Sequence, residues 1–153
     1  QLARMDGPVL VESMAGARVL TVNEYEYEMV RQKSGLDEAA LLDLVDAVVV
    51  TLGAKGSKVV RRGFEMVVPA ASTAHVVEPT GVGDAYRAGL LTGLVRGYPW
   101  DVTCRLASLA ATYVIEQHGT MSHRYDLPGF VARYRQEFGD TPELDDLLKP
   151  RTN

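Results

Sequence analysis

The sequence predicts an α/β layered fold with a largely parallel sheet. Short β-branched segments alternate with helical ones along the chain. The run over residues 46–52 is apolar with almost no alternation, the pattern of a strand covered on both faces. Gly35, Pro99 and Gly119 fall where helices of ordinary length should stop.

Taken in order, residues 8–15 read as a short helix and residues 17–22 as a buried strand flanked by Gly16 and Asn23. Asn23 is a good N-cap with Glu26 three residues on, the spacing of a capping box, so a helix is expected to about Lys33. Residues 37–45 form a second short helix, and the strand over 46–52 follows. Gly53 opens a turn that ends at Gly56. Residues 57–61 and 64–69 then make a hairpin across Arg62 and Gly63. A short strand at 75–77 leads into Pro79, Thr80 and Gly81. Helical periodicity resumes from Gly83 to about Gly97, again over 100–117, and once more over 127–138. The polar stretch 140–153 reads as a loose tail behind a domain over 1–139.

The chain has 153 residues, enough for one domain with a real core. Its net charge of −4 and scattered basic residues argue against nucleic-acid binding, which needs clustered Lys and Arg. A single cysteine, Cys104, excludes an internal disulfide and fits a reducing, cytoplasmic setting. Its place in an apolar helical run suggests a small buried hydrophobe. No apolar stretch reaches the length of a membrane span, and the first residues lack the pattern of a signal peptide. Because the chain opens on Gln1 rather than Met, a piece of a longer protein is expected.

Chemistry concentrates at residues 80–84. A strand stops, a glycine-rich turn follows and a helix starts. Backbone N–H groups at a helix start carry partial positive charge, and glycines let an anion come close to them. A carboxylate in that turn, Asp84, would repel a bound phosphate unless a substrate hydroxyl stood between them. It would then accept the hydroxyl's proton while charge on a transferred phosphoryl group is held by the amides. Acids are also common in first helical turns, so Gly-Val-Gly-Asp by itself reads more readily as an ordinary helix start. A P-loop string is absent, and Tyr86 stands where a dinucleotide fingerprint needs its third glycine, which disfavours an NAD-binding domain.

The longer string Pro-Thr-Gly-Val-Gly-Asp-Ala-Tyr-Arg-Ala-Gly, residues 79–89, resembles the signature of the ribokinase/PfkB family of carbohydrate kinases. Typical members read Asp-Thr-Thr-Gly-Ala-Gly-Asp-Ala-Phe-x-Ala-Gly. The resemblance implies a ribokinase-like three-layer αβα fold, of which this chain is the C-terminal, ATP-binding part. It implies Asp84 as catalytic base and the Gly81, Val82 and Gly83 amides as anion hole, with Thr80 beside the nucleotide. Asn23 and Glu26 match the family's Asn-x-x-Glu element, which implies help in holding Mg²⁺ through water. The run Thr51-Leu52-Gly53-Ala54-Lys55-Gly56 resembles the turn that lines the ATP site, which implies nucleotide contacts at Thr51, Gly53 and Gly56.

Small residues at Ala107, Ser108 and Ala111, with Gly119 after the helix, would flank the nucleotide base; helix-on-helix packing explains the first three equally well. A monovalent cation such as K⁺ would sit at Glu78 with the loop 119–122, although the family usually has Asp at that position. The later run from Tyr113 and the Arg87 to Gly93 segment resemble bacterial adenosine-kinase-like members. The reaction implied is transfer of the γ-phosphoryl of MgATP to a primary hydroxyl of a sugar or nucleoside, by an enzyme that is a homodimer at full length. A nucleotide-binding or regulatory module without turnover is the alternative. The 153-residue chain alone, with a cut sheet edge, is expected to be inactive.

Overall fold

The computed structural model describes residues 2–73, 75–117 and 125–149. Contacts divide the chain into two compact units, residues 1–69 and 70–153.

In the first unit a 3-10 turn (Leu2–Arg4) precedes helix α1 (Gly7–Met14), strand β1 (Val19–Asn23), helices α2 (Glu24–Ser34) and α3 (Glu38–Leu44), and strand β2 (Ala47–Thr51). A 3-10 turn (Gly53–Lys55) then leads to the hairpin β3 (Ser57–Arg61) and β4 (Phe64–Val68). The sheet order is β1-β2-β3-β4. β1 and β2 run parallel in the register Val19 to Ala47, and the hairpin adds two antiparallel pairings. The sheet is therefore mixed, with its parallel pair at the β1 side.

Local chemistry explains each boundary. Asn23 caps α2 through its side chain, Glu26 reaches back to the Asn23 N–H, and Gly35 closes the helix at φ 70°. Asp37 caps α3 by accepting the Ala40 N–H at 2.8 Å. Lys33 ties the N-terminal turn to α2 by donating from Nζ to the Leu2 and Met5 carbonyls at 3.0 and 2.9 Å. The core gathers Leu10, Met14, Val30, Leu41 and Val48, all buried. Burying each such side chain contributes roughly 1.5–3 kcal/mol before ordering costs.

The second unit is helical: α4 (Val82–Arg96), α5 (Trp100–Ile115), α6 (Leu127–Phe138) and α7 (Pro142–Leu147). α4 lies close on α5 because two glycines face it. A Cβ on Gly89 would stand 2.6 Å from the Ala107 Cα, and one on Gly93 would stand 2.5 Å from the Thr103 Oγ1. Cys104 is fully buried in α5. Leu106, Leu109, Phe130, Val131, Tyr134 and Leu144 form this unit's core.

Two expectations change. The strand at 75–77 does not form. The Val77 and Glu78 N–H groups donate instead to the Ile115 carbonyl at the end of α5, at 2.8 and 3.3 Å, so the pairing partner is a helix end. The stretch after Gly139 is not loose throughout: Thr141 and Pro142 start α7, which buries Leu144 and Leu147. Arg96 and Tyr98 hold α7 by donating to the Asp146 Oδ2 at 3.1 and 2.6 Å.

Candidate functional site

The start of α4 has the features of an anion site. Gly81, its N-cap, adopts φ 86°, a conformation that disfavours any side chain. The first residues of a helix have N–H groups outside the i to i−4 ladder. The Val82 N–H makes only a long 3.4 Å bond to the Pro79 carbonyl. A Cβ on Gly83 would meet nothing within 4 Å, so the space beside these amides is open. That opening, with the positive end of a 15-residue helix behind it, suits a phosphoryl group.

Asp84 stands in the first turn with its side chain 81% exposed. Its Oδ1 accepts from the Arg87 Nη2 at 2.6 Å. Thr80, Gly81 and Asp84 lie at one end of a cavity of about 600 Å³. Its walls continue along α4 at Ala88, with Leu106 and Ala110 of α5 and the aromatic rings of Tyr125 and Phe130. Tyr125 and Phe130 stack with Tyr113 at centroid distances of 4.6 and 5.8 Å, and burial raises the Tyr125 pKa. The sequence reading missed this aromatic wall because its members stand on separate elements; the Tyr125, Leu127, Phe130 cluster was the available signal.

Ser108 is buried, and its Oγ accepts the Ala71 N–H at 2.8 Å, so it fastens the chain that precedes the site. Ala107 is fully buried against Gly89 and Ala111 nearly so, which is the packing use of small residues. Glu78 is held by its backbone to Ile115. Gly119 and the rest of the expected cation loop, residues 119–122, lie outside the described residues.

In the first unit, Asn23 and Thr51 are paired at the carboxyl ends of the two parallel strands. The Thr51 Oγ1 donates to the Val22 carbonyl at 3.4 Å, and Gly53 and Gly56 shape the turn just beyond at φ 60° and 101°. Asn23 and Glu26 hold each other through the capping box, at 3.0 and 2.8 Å. The strand ends thus gather Asn23, Glu26, Thr51 and the Gly53 turn, where open α/β sheets commonly bind ligands. The Asn and Glu side chains offer hard oxygens, the donor set Mg²⁺ favours, and outer-shell contact through water is compatible with the cap. Among the described residues no group of three or more His, Cys, Asp or Glu could grip a metal directly. Also among them, no helix is long and apolar enough to cross a membrane.

This element order is that of a ribokinase-like fold. The ribokinase of Arabidopsis thaliana, solved with ribose and ATP, superposes with a TM-score of 0.70 at 22% identity over 82% of this chain and 43% of that one. Residues 5–126 match the pfkB family carbohydrate kinase, and the chain belongs to that family. It is similar to the nucleoside kinase of Burkholderia thailandensis, solved in complex with inosine and with ADP-inosine. For the inosine complex the TM-score is 0.88 at 34% identity, over 92% of this chain and 47% of that one. It is also 30% identical to the nucleoside kinase of Methanocaldococcus jannaschii over 115 residues, 75% of this chain and 38% of that protein. The chain thus spans less than half the length of these relatives.

Proposed function

We propose that this chain is the nucleotide-binding and catalytic part of an ATP-dependent kinase. The whole enzyme transfers the γ-phosphoryl of MgATP to a primary hydroxyl of a ribose-type sugar or nucleoside. The observation that carries the reading is the start of α4: an open glycine turn followed, within one turn of helix, by an exposed carboxylate. The similarity to nucleoside kinases favours a nucleoside acceptor.

In this proposal the Gly81, Val82 and Gly83 amides hold the charge of the transferred group without reorganising. Asp84 orients the acceptor hydroxyl and takes its proton. Arg87 engages Oδ1, which leaves Oδ2 as the accepting atom. Positioning carries most of the effect, because a loose phosphoryl transition state demands little of the base. Thr51, Gly53 and Gly56 line the nucleotide, and Asn23 and Glu26 order the water around Mg²⁺. The metal, bound as MgATP, supplies neutralisation of phosphate charge.

The test is an ATP-consumption screen of the full-length protein with adenosine, inosine, ribose and fructose, repeated with Asp84→Asn. One acceptor should be phosphorylated, and the substitution should cost on the order of a hundredfold or more in turnover. Unchanged turnover in Asp84→Asn removes the assignment of the base. ATP binding with no acceptor consumed favours a binding module instead.

A further inference from the structure

α5 ends against the usual electrostatic preference. The residue that caps its C-terminus is Glu116, an acid at the negative end of the helix dipole, and the last turn holds no basic residue. The compensating charge comes from α6. Arg133 donates from Nη1 to the Glu116 Oε2 at 2.8 Å and from Nη2 to Oε1 at 2.7 Å. Both side chains are only 23% exposed. A forked, largely shielded pair fixes geometry far better than a solvated one. The Arg133 guanidinium also lies 4.8 Å from the centre of the Tyr113 ring. Hydrogen bonding from Arg133, aided by Thr73 and His75, holds the Glu116 carboxyl below its usual range despite its burial.

The same junction fastens the segment 72–78 at both ends. Arg133 Nη2 donates to the Ser72 carbonyl at 3.2 Å. Ile115, the neighbour of Glu116, accepts the Val77 and Glu78 N–H groups. Ser72 Oγ adds bonds to Glu137 of α6 at 2.6 and 2.7 Å. Directly after Glu78 the chain turns through Pro79, Thr80 and Gly81 into α4 and Asp84. We infer that the Arg133–Glu116 pair is a positioning device for the start of α4: by pinning segment 72–78 it sets where the 81–83 amides and Asp84 stand. The inference rests on the proposed function for what that helix start does. Neither residue touches the reacting atoms.

The experiment uses the full-length protein with Arg133→Met, Arg133→Lys, Glu116→Gln and the Arg133→Met/Glu116→Gln double variant. It reads kcat, both KM values, Tm, and amide hydrogen exchange of peptides covering residues 76–84. In Arg133→Met, exchange at Val77 and Glu78 should quicken and kcat should fall about tenfold, with KM for MgATP within about twofold. Arg133→Lys keeps the charge without the fork and should recover part of both. The double variant should be no worse than the worse single one, as expected for partners in one interaction. Unchanged exchange at Val77 and Glu78, or faster exchange with unchanged kcat, overturns the inference. If Arg133→Met does not fold, Arg133→Lys decides by the same two readouts. Should Asp84→Asn retain full turnover, the kinase reading falls by itself, and the exchange result still decides whether the pair anchors the segment.

Discussion

Asp84 and Arg87 are joined by a 2.6 Å ion pair across one turn of α4, and both side chains face solvent, 81% and 52% exposed. Such a pair contributes about 0.2–1 kcal/mol to stability. Asp84→Asn should therefore shift Tm by no more than about 4 °C, while turnover of the full-length enzyme falls on the order of a hundredfold. Thermal unfolding run beside steady-state kinetics separates the two. A large Tm loss that accounts for the lost activity would make Asp84 a structural residue.

Two glycines on the same helix should respond in opposite ways. At Gly83 a methyl group has open space, and alanine suits a helix better by up to about 1 kcal/mol. Gly83→Ala should fold at least as well as the parent yet lose at least about tenfold in turnover, since the methyl would occupy the space proposed for the phosphoryl oxygens. At Gly89 the methyl would meet the Ala107 backbone at 2.6 Å. Gly89→Ala should cost about 1–3 kcal/mol in chemical denaturation. A Gly83→Ala enzyme with full activity would argue against the anion site.

Ser108 accepts the Ala71 N–H in a buried setting. Ser108→Ala leaves that donor without an acceptor and should lower stability by about 1–3 kcal/mol. Ser108→Thr, which keeps the hydroxyl, should lose less unless its added methyl clashes. Equal stability of Ser108→Ala and the parent would show that water replaces the hydroxyl.

Acid should loosen the α7 attachment. Hydrogen bonds from Tyr98 and then Arg96 hold the Asp146 carboxyl below its ordinary range. A lowered folded-state pKa means the stabilisation is present above the unfolded value, near pH 3.9, and is lost as pH falls through the folded value. Stability measured across that acid range should fall less steeply in Asp146→Asn than in the parent. On the alkaline side, burial and Asp146 push the Tyr98 hydroxyl up to about 12, so this contribution fades as pH climbs from about 10 through that value. Parallel acid profiles for parent and variant would remove Asp146 from this role.

Elements whose boundaries are set by local chemistry were legible in the sequence. The Asn23 cap with Glu26, the Gly35 stop and the hairpin across Arg62 and Gly63 all follow from neighbours within four residues. The glycine turn and its Asp84 were legible for the same reason. What failed was non-local. Val77 looks like a strand residue, but its N–H finds the carbonyl of Ile115, which no spacing rule connects to it. α7 was hidden because its acidic surface residues outweigh Leu144 and Leu147 in composition, although their spacing of three marks one helix face. The bond that Ser108 accepts from the Ala71 N–H is likewise invisible in the sequence, because it depends on a loop folding back across the helix.

The close approach at Gly89 and Gly93 bears on motion. With Ala107 and Thr103 seated against those two positions, one turn apart, α4 has no slack to tilt or slide over α5. The two helices act as a single stiff bar, and Asp84 is mounted near its tip. Bending within this unit must therefore fall elsewhere, and in the proposed kinase the Asp84 carboxylate would keep its place relative to α5.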